Sequence, residues 1–313
     1  MTRRKIAIVG CGQIGGVLAL MLAERELGDI LLLDIPEKEG VVKGKALDIT
    51  QLRPEVGSDA RIRGSVDFDD LAGSDLVLIT AGMPRRPGMD REDLLQVNLA
   101  IVRNLAEKVR IHAPEAFVIL TTNPLDAMVY AFHRLSGLPA QRVAGMAGAL
   151  DTARFRTFIA MEIGISVRDV HCMVMGGHGP TMVPLPRTAT VGGVPLACLL
   201  SPERIEEVVQ RTRDAGTELV KLYASGSAYF SPAAGLLEMA EAYINDHKRL
   251  LPAAALCRGE YGIHDLFVGV PCIIGAGGIE RIVEMPLAAD EQAMLAKTVQ
   301  AVEEAVAATG LRS

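Results

Sequence analysis

A short stretch of the chain concentrates positive charge directly after an apolar run. Residues 80–91 hold three arginines among prolines and glycines and follow the apolar residues 75–79, whereas the whole chain has a net charge of -6. A guanidinium group binds a carboxylate through two parallel hydrogen bonds. Arg85 and Arg91 are therefore predicted to bind two parts of one small anion. The alternative is an ordinary solvated loop, because arginine is common at protein surfaces.

A Gly-x-Gly-x-x-Gly pattern begins at Gly10, between a predicted strand and a predicted helix. Gly10 would allow a tight turn, Gly12 would let the backbone approach a pyrophosphate, and Gly15 would let the helix pack on the strand. The start of the helix, at Gln13 and Ile14, would offer amide donors and the positive end of a dipole to phosphates. The pattern predicts a dinucleotide site.

Two polar residues at predicted strand ends belong to the same site. Asp34 ends the second predicted strand, 19 residues after Gly15. A carboxylate there accepts hydrogen bonds from ribose hydroxyls and repels a 2′-phosphate, which favours NAD over NADP. Asn123 closes the predicted strand 117–122, where its amide can reach a nicotinamide ribose and a substrate oxygen. The alternative for Asn123 is turn chemistry with Pro124.

A histidine between glycines is the candidate for proton transfer. His178 follows a predicted strand, and its small neighbours leave the imidazole open to a ligand. Such a histidine can exchange a proton with a hydroxyl or carbonyl group, as hydride transfer to or from NAD requires. Asp151 and Arg154 share one face at the start of a predicted helix, so they are candidates to orient the imidazole and to bind a carboxylate. The alternatives are a turn histidine and a capping aspartate with an ordinary ion pair.

These residues need a framework that brings strand ends together, and the hydrophobic pattern of the first half predicts one. Apolar runs at 5–9, 29–34, 61–66, 75–80, 117–122 and 142–146 predict strands. Amphipathic stretches at 13–27, 41–52, 92–112 and 127–135 predict helices between them. Alternation of this kind indicates an α/β fold with a Rossmann-type doubly wound parallel sheet, which binds ligands beyond the carboxyl ends of its strands.

The second half has a different pattern and predicts a mixed α+β substrate domain. Antiparallel segments are expected at 171–175, 181–185 and 188–191, and helices at 202–222, 232–246 and 289–308. Short strands are expected at 254–257, 266–268, 272–274 and 279–283. We therefore expect an NAD-binding domain over residues 1–147 and a catalytic domain over 148–313, with a cleft between them.

Composition excludes several classes of protein. The acidic chain lacks Trp and has 4% aromatic residues, which argues against nucleic acid as a partner. Its five scattered cysteines have no metal-ligand spacing, so no metal site is expected, and they indicate reduced thiols in a cytoplasmic protein. Residues 3–22 resemble a secretory signal only superficially, because glycines interrupt the apolar run. No run is long enough to predict a membrane span.

The segments that carry these residues resemble the malate dehydrogenases of the lactate dehydrogenase-like branch. The resemblance extends from residue 5 to about residue 287. The matching segments are 8–15, residue 34, 80–91, 121–124, 148–154, 176–185 and 259–268. It implies a homo-oligomer, a dimer or tetramer, that uses NAD to oxidise (S)-malate reversibly to oxaloacetate.

The resemblance also implies roles for the site residues. His178 would donate and accept the proton, with Asp151 as its carboxylate partner. Arg154 would bind the C1 carboxylate, and Arg91 would polarise the C2 oxygen. Arg85 stands where lactate-specific relatives carry glutamine, which implies recognition of a second carboxylate. The residues implied on the nicotinamide side are Asn98, Thr121, Thr122 and Asn123.

Other functions fit the residues less well. A dehydrogenase of another 2-hydroxy acid such as lactate is the main alternative, and Arg85 disfavours it. An NAD-dependent glycosidase would need a metal near a Cys and His pair, and no such pair stands out in the sequence. A catalytically inactive NAD-binding regulator is disfavoured, because it would not need Asp151, Arg154 and His178.

One residue departs from the pattern of the resemblance. Pro180 stands where relatives commonly have aspartate. A carboxylate two residues from His178 is therefore missing, and its absence is expected to change the pKa of the imidazole. The proline is also expected to hold Gly179 in extended geometry.

Overall fold

The computed structural model describes residues 3–84, 91–224 and 226–312, without the side chain of Arg91. Arg85 and the Arg91 side chain, two of the predicted anion-binding groups, therefore lie outside the described residues. No helix in the described ranges is long and apolar enough to cross a membrane.

The first half alternates strands and helices, as the hydrophobic pattern predicts. The strands are β1 (Lys5–Val9), β2 (Asp29–Leu33), β3 (Ile62–Ser65), β4 (Leu76–Ile79), β5 (Phe117–Leu120) and β6 (Val143–Gly145). The helices are α1 (Gln13–Glu24), α2 (Glu39–Val56), α3 (Arg91–His112) and α4 (Leu125–Ser136). β4 and β5 are buried along their whole length, as expected of parallel strands that helices cover on both faces.

These six strands form a parallel sheet in the order β3-β2-β1-β4-β5-β6. The chain moves outward from β1 to one edge and then returns to β4 to build the other edge. The reversal between β1 and β4 is the point at which such sheets bind ligands. The α/β, Rossmann-type prediction is confirmed.

The second half begins with α5 (Ala149–Ile163) and a set of two-residue strands. The expected strand at 171–175 is in fact two strands, β7 (Val170–His171) and β8 (Val174–Met175), which lie in different sheets. β8 pairs with β9 (Val183–Pro184), while β7 pairs with β10 (Thr190–Val191), which also pairs with β11 (Val194–Pro195). The helices α6 (Pro202–Tyr223) and α7 (Phe230–Ile244) follow.

Of the four short strands predicted near the end of the chain, the one at 279–283 is confirmed, whereas those at 254–257, 266–268 and 272–274 are parts of two longer strands. The structure has a long hairpin, β12 (Arg249–Arg258) and β13 (His264–Gly275), followed by β14 (Gly278–Ile282) and α8 (Ala289–Ala307). Pro252 and Pro271 lie within these two strands, although proline ordinarily interrupts a strand because it lacks an amide donor. They lie opposite each other in the register, so both missing donors fall at one position of the ladder and the strands continue past it.

The two halves share one sheet. β12 pairs antiparallel with β6 through Ala254 and Gly145, so the nine-stranded sheet runs β14-β13-β12-β6-β5-β4-β1-β2-β3. The larger hydrophobic cluster contains residues of both halves, from Ile6 to Val306. A bridge between Gly176 and Gly269 then fixes the segment after β8 against β13. The fold thereby holds His178 close to the helix α4 that follows β5.

Candidate active site

The turn between β1 and α1 requires glycine at two positions. Gly10 has φ +101°, and a Cβ there would lie 2.4 Å from the amide nitrogen of Ala81. A Cβ on Gly15 would lie 2.1 Å from the carbonyl oxygen of Gly10. Both contacts are far inside van der Waals distance, so only glycine lets α1 begin this close to the ends of β1 and β4.

The space above this turn suits a phosphate group. Gly12 precedes α1, and a Cβ added to it would meet nothing within 4 Å. α1 begins at Gln13 and Ile14, and the first amides of a helix have no partner within the helix. Free amide donors beside open space fit the pyrophosphate of a dinucleotide.

Asp34 lies beside the same turn, as its position after β2 predicts. One oxygen accepts a hydrogen bond from the amide of Cys11 at 2.8 Å, and the other accepts one from the amide of Ile35 at 2.9 Å. Asp34 is buried, with a side chain 8% exposed, and the ammonium of Lys38 is 3.5 Å from Oδ2. The carboxylate therefore stabilises the glycine turn through the amide of Cys11 and lies beside the turn, where it could bind a ribose.

Lys45 was not predicted as part of this site. It lies on α2, and its ammonium donates hydrogen bonds to the carbonyl oxygens of Cys11 at 2.9 Å and Gly12 at 2.7 Å. Gly16 of α1 faces it, since a Cβ at Gly16 would lie 3.1 Å from its nitrogen. The contact depends on how α1 packs beside α2, and no local pattern around Lys45 indicates it.

Asn98 of α3 joins two chain segments on the opposite side of β4. Its side-chain oxygen accepts a hydrogen bond from the amide of Met83 at 2.7 Å. Its amide nitrogen donates to the carbonyl oxygens of Met83 at 3.1 Å and Asn123 at 2.7 Å. Both amide hydrogens are thus used within the protein, and the side chain is buried. This geometry suits a residue that positions the nicotinamide side.

The residues that follow β5 are anchored to the end of the neighbouring strand β4 and to the segment just after it. The Thr121 hydroxyl donates to the carbonyl oxygen of Ile79 at 3.2 Å, and the Thr122 hydroxyl donates to that of Ala81 at 2.6 Å. Asn123 itself is exposed. Its backbone is held by Asn98, which leaves its side chain available to a ligand.

The structure brings the predicted His, Asp and Arg together. The Nδ1 of His178 lies 2.9 Å from Oδ2 of Asp151, and a terminal nitrogen of Arg154 donates to Oδ1 of Asp151 at 3.1 Å. The side chain of Asp151 is 1% exposed, whereas that of His178 is 22% exposed. Nε of Arg154 is buried and has no partner among the described residues. Arg154 therefore has a donor available for an anion.

The charges in this group favour an ionised pair. Burial alone would raise the pKa of Asp151, but His178 and Arg154 outweigh it and the net shift is downward. The Asp151 charge is in turn the largest cause that raises the pKa of His178. With Nδ1 directed at the carboxylate, Nε2 is the nitrogen left to exchange a proton with a ligand.

A carboxyl group that sequence reasoning missed lies near the histidine. Asp126, in the first turn of α4, is 8% exposed, and burial raises its pKa to about 7. It lines a cavity of about 380 Å³ together with residues of three other segments, among them Gly177, His178, Thr181 and Val302. An acidic residue in a first helical turn is common, because it complements the helix dipole. The sequence therefore did not single it out.

Pro180 lies at the exposed rim of this cavity. The pKa of His178 is raised without a carboxylate at position 180, because Asp151 supplies the main interaction. Gly179 has φ +139°, a backbone conformation that residues with a Cβ rarely adopt. The negative φ expected of an extended residue before proline is therefore not found.

Two family models cover the chain. Residues 4–145 match the model described as lactate/malate dehydrogenase, NAD binding domain. Residues 148–309 match the model described as lactate/malate dehydrogenase, alpha/beta C-terminal domain. The chain belongs to the lactate/malate dehydrogenase family. It is accordingly an oxidoreductase with NAD as its cofactor, as the glycine turn and Asp34 predict.

Individual relatives are similar over nearly their whole length. A malate dehydrogenase of Myxococcus xanthus is 55% identical over 304 residues, which are 97% of each chain. The crystal structure of Cryptosporidium parvum malate dehydrogenase has a TM-score of 0.95 and 44% identity, and the match covers 99% of each chain. A lactate dehydrogenase from the same organism, complexed with lactic acid and the dinucleotide, gives the same TM-score and identity over 100% of each chain. Backbone similarity alone therefore does not select the substrate.

Proposed function

We propose that this protein is a malate dehydrogenase that catalyses the reversible, NAD-dependent oxidation of (S)-malate to oxaloacetate. The observation that carries the proposal is the hydrogen-bonded set of His178, Asp151 and Arg154. A proton carrier and a carboxylate-binding group then lie side by side, as oxidation of a hydroxy acid requires. The 55% identity to a malate dehydrogenase supports the choice of substrate.

His178 acts as the general base in malate oxidation. Its Nε2 accepts the proton of the C2 hydroxyl, and Asp151 stabilises the imidazolium that forms and keeps Nδ1 protonated. A bound NAD would supply the acceptor for the hydride that leaves C2. In oxaloacetate reduction, the same nitrogen returns the proton to the C2 oxygen.

Three arginines hold the substrate in this proposal. Arg154 binds the C1 carboxylate, and its unpartnered Nε supports that role. Arg91 polarises the C2 oxygen and Arg85 binds the second carboxylate, both by resemblance to the family. Asn123, exposed after β5, would contact both the substrate and the nicotinamide ribose.

The cofactor would bind at the carboxyl ends of the parallel strands. The residues we assign to it are Gly10, Gly12, Gln13, Ile14, Gly15, Asp34, Asn98, Thr121, Thr122 and Asn123. Open space above Gly12 and the position of Asp34 support this assignment. We place the boundary between the NAD-binding and catalytic domains at residues 147 and 148.

We also propose a cytoplasmic homo-oligomer, a dimer or tetramer. The five cysteines are all free, which suits a reducing compartment. Large apolar side chains on two helices face outward, with Leu47 of α2 59% exposed and Leu222 of α6 76% exposed. Light scattering of the protein as it elutes from a size-exclusion column gives its molar mass and therefore its oligomeric state.

Substrate choice provides the test. The purified protein should oxidise NADH with oxaloacetate much faster than with pyruvate or 2-oxoglutarate. Losing the partner of a buried carboxylate costs about 3 to 5 kcal/mol. At about 1.4 kcal/mol per tenfold, Arg85→Gln should lower kcat/KM for oxaloacetate by about two to three decades or more, and far less for pyruvate.

Arg86→Gln is the matched control, because it removes an adjacent arginine to which the proposal gives no role. A wild-type preference for pyruvate would contradict the proposal. Equal losses on both substrates in Arg85→Gln would contradict the role of Arg85.

A further inference from the structure

Asp126 is an acidic residue buried where a carboxylate is costly. It lies in the first turn of α4, three residues after Asn123, and is 8% exposed. Its Oδ1 is fully shielded from solvent and has no hydrogen-bond partner among the described residues. An unpaired buried carboxylate is strongly disfavoured unless a positive charge lies close to it.

The carboxyl group lies against the segment that carries the histidine. A Cβ at Gly177 would lie 3.1 Å from Oδ2 of Asp126, so the glycine leaves just enough room for that oxygen. The backbone amide of His178 also interacts with the carboxyl group and favours its ionised form. Asp126 therefore contacts the backbone directly before the imidazole.

Other charges around the cavity do not provide a partner. Its titratable lining residues besides Asp126 and His178 are Glu92 of α3 and Glu304 of α8, both exposed. Asp151 approaches from α5 and, being negative, raises the pKa of Asp126 further. Among the described lining residues, no lysine or arginine occurs. Among the described residues, the positive group that acts on Asp126 is the imidazolium of His178.

We propose that Asp126 is a positioning residue for His178, which fixes the backbone at residues 177–178 and stabilises the protonated imidazole with its negative charge. This inference rests on the proposed role of His178 in malate oxidation. The histidine then lies between two carboxylates. Asp151 forms a hydrogen bond with Nδ1 of the ring. Asp126 interacts with the backbone amide of His178 and with the charge of the imidazolium.

The two acidic groups differ in one respect that matters for function. Asp151 has a lowered pKa and stays ionised. The pKa of Asp126 is raised to about 7, because the effect of burial exceeds the opposing effect of His178. Asp126 and His178 interact, since the charge of each shifts the pKa of the other, so the protonation of one group depends on that of the other. Loss of the proton from one favours retention of the proton by the other.

The test is the pH dependence of both reaction directions in Asp126→Asn, which keeps the shape of the side chain and removes its charge. The imidazole should lose its proton more easily. The pH above which oxaloacetate reduction declines should fall by about half a unit or more. Above that pH, kcat/KM for reduction should fall by about threefold or more, while malate oxidation should reach its plateau at lower pH. A merely structural defect would lower both directions without moving either profile.

Glu304→Gln is the matched control, because it removes an exposed carboxylate from the same cavity. The proposal is overturned if Asp126→Asn leaves the profile within about 0.2 units of wild type, or if Glu304→Gln shifts it equally. Asp126→Ser, smaller and neutral, replaces Asp126→Asn if that variant does not fold.

Histidine NMR separates this inference from the proposed function. The ring signals of His178, assigned by their loss in His178→Asn, give its pKa without turnover. A lower pKa in Asp126→Asn than in wild type supports the inference, and an unchanged pKa overturns it. A wild-type enzyme that fails to reduce oxaloacetate would instead overturn the proposed function.

Discussion

At the scale of single residues, the proposed role of His178 in proton transfer predicts how the reaction depends on pH. The ordinary pKa of histidine is 6.5, and Asp151 raises that of His178 above this value. Reduction of oxaloacetate needs the protonated imidazole, so its kcat/KM should be highest at low pH and decline as pH rises through the raised pKa. Malate oxidation needs the neutral imidazole and should increase over the same range. Two profiles that decline in the same direction would contradict this assignment.

Replacing either member of the pair should affect chemistry far more than cofactor binding. His178→Asn removes general acid and base catalysis, which usually contributes about 10² to 10⁴ in rate. Asp151→Asn should also cost orders of magnitude, because the amide no longer stabilises the imidazolium or selects its tautomer. Stopped-flow hydride transfer measures the loss, and titration of NADH fluorescence checks that the cofactor still binds. A His178→Asn variant with more than about a tenth of wild-type turnover would exclude the role.

The site residues that could be predicted are those whose neighbours in sequence explain them. His178 lies between glycines, and Asp151 and Arg154 are one helical turn apart, so residue type and spacing indicate their chemistry. Asp126 and Lys45 act on segments more than 30 residues away in the chain. Their surroundings depend on helix packing, which spacing does not show.

At the scale of elements, α2 supports the glycine turn through a single lysine. Lys45→Met should leave the carbonyls of Cys11 and Gly12 without their charged donor and so loosen the turn proposed to bind the pyrophosphate. The Kd for NADH should then rise by about tenfold, the equivalent of about 1.4 kcal/mol. Titration of NADH fluorescence measures the change.

Lys43→Met is the control for that variant. Lys43 lies on the same helix, but it is exposed and pairs with Glu39. Both variants lose one positive charge, so equal changes in Kd would show that charge alone, and not the two hydrogen bonds of Lys45, matters.

Strands could be predicted from the sequence where their residues are all apolar and have high strand propensity. β4 and β5 are continuous apolar runs, so their existence and position follow from the sequence. The hairpin β12–β13 contains Pro252, Gly269 and Pro271, residues that ordinarily interrupt strands. Whether a strand tolerates these residues depends on its register with the partner strand. The sequence of one strand does not predict that register.

At the scale of the whole molecule, the junction between the halves depends on close packing at Gly145. A Cβ there would lie 2.7 Å from Cγ2 of Val129 and 3.0 Å from Cβ of Ala254. Gly145→Ala should therefore overpack the junction of β6 and β12 and lower stability by about 1 to 3 kcal/mol. The midpoint of thermal or urea unfolding measures the loss.

Gly44→Ala provides a control of opposite sign. Gly44 lies exposed within α2, and a Cβ there would meet nothing within 4 Å. Alanine should stabilise the helix by about 0.4 to 1 kcal/mol. A Gly145→Ala protein as stable as Gly44→Ala would show that the junction accommodates a methyl group.

The continuous sheet also limits how the chain can be divided. A fragment that stops at residue 147 would contain every residue of the dinucleotide turn, but it would leave β6 as an edge, without β12 beside it. Exposed edges with apolar side chains recruit strands from other molecules. The N-terminal half is therefore expected to self-associate when expressed alone, although it has the motif of an independent binding module.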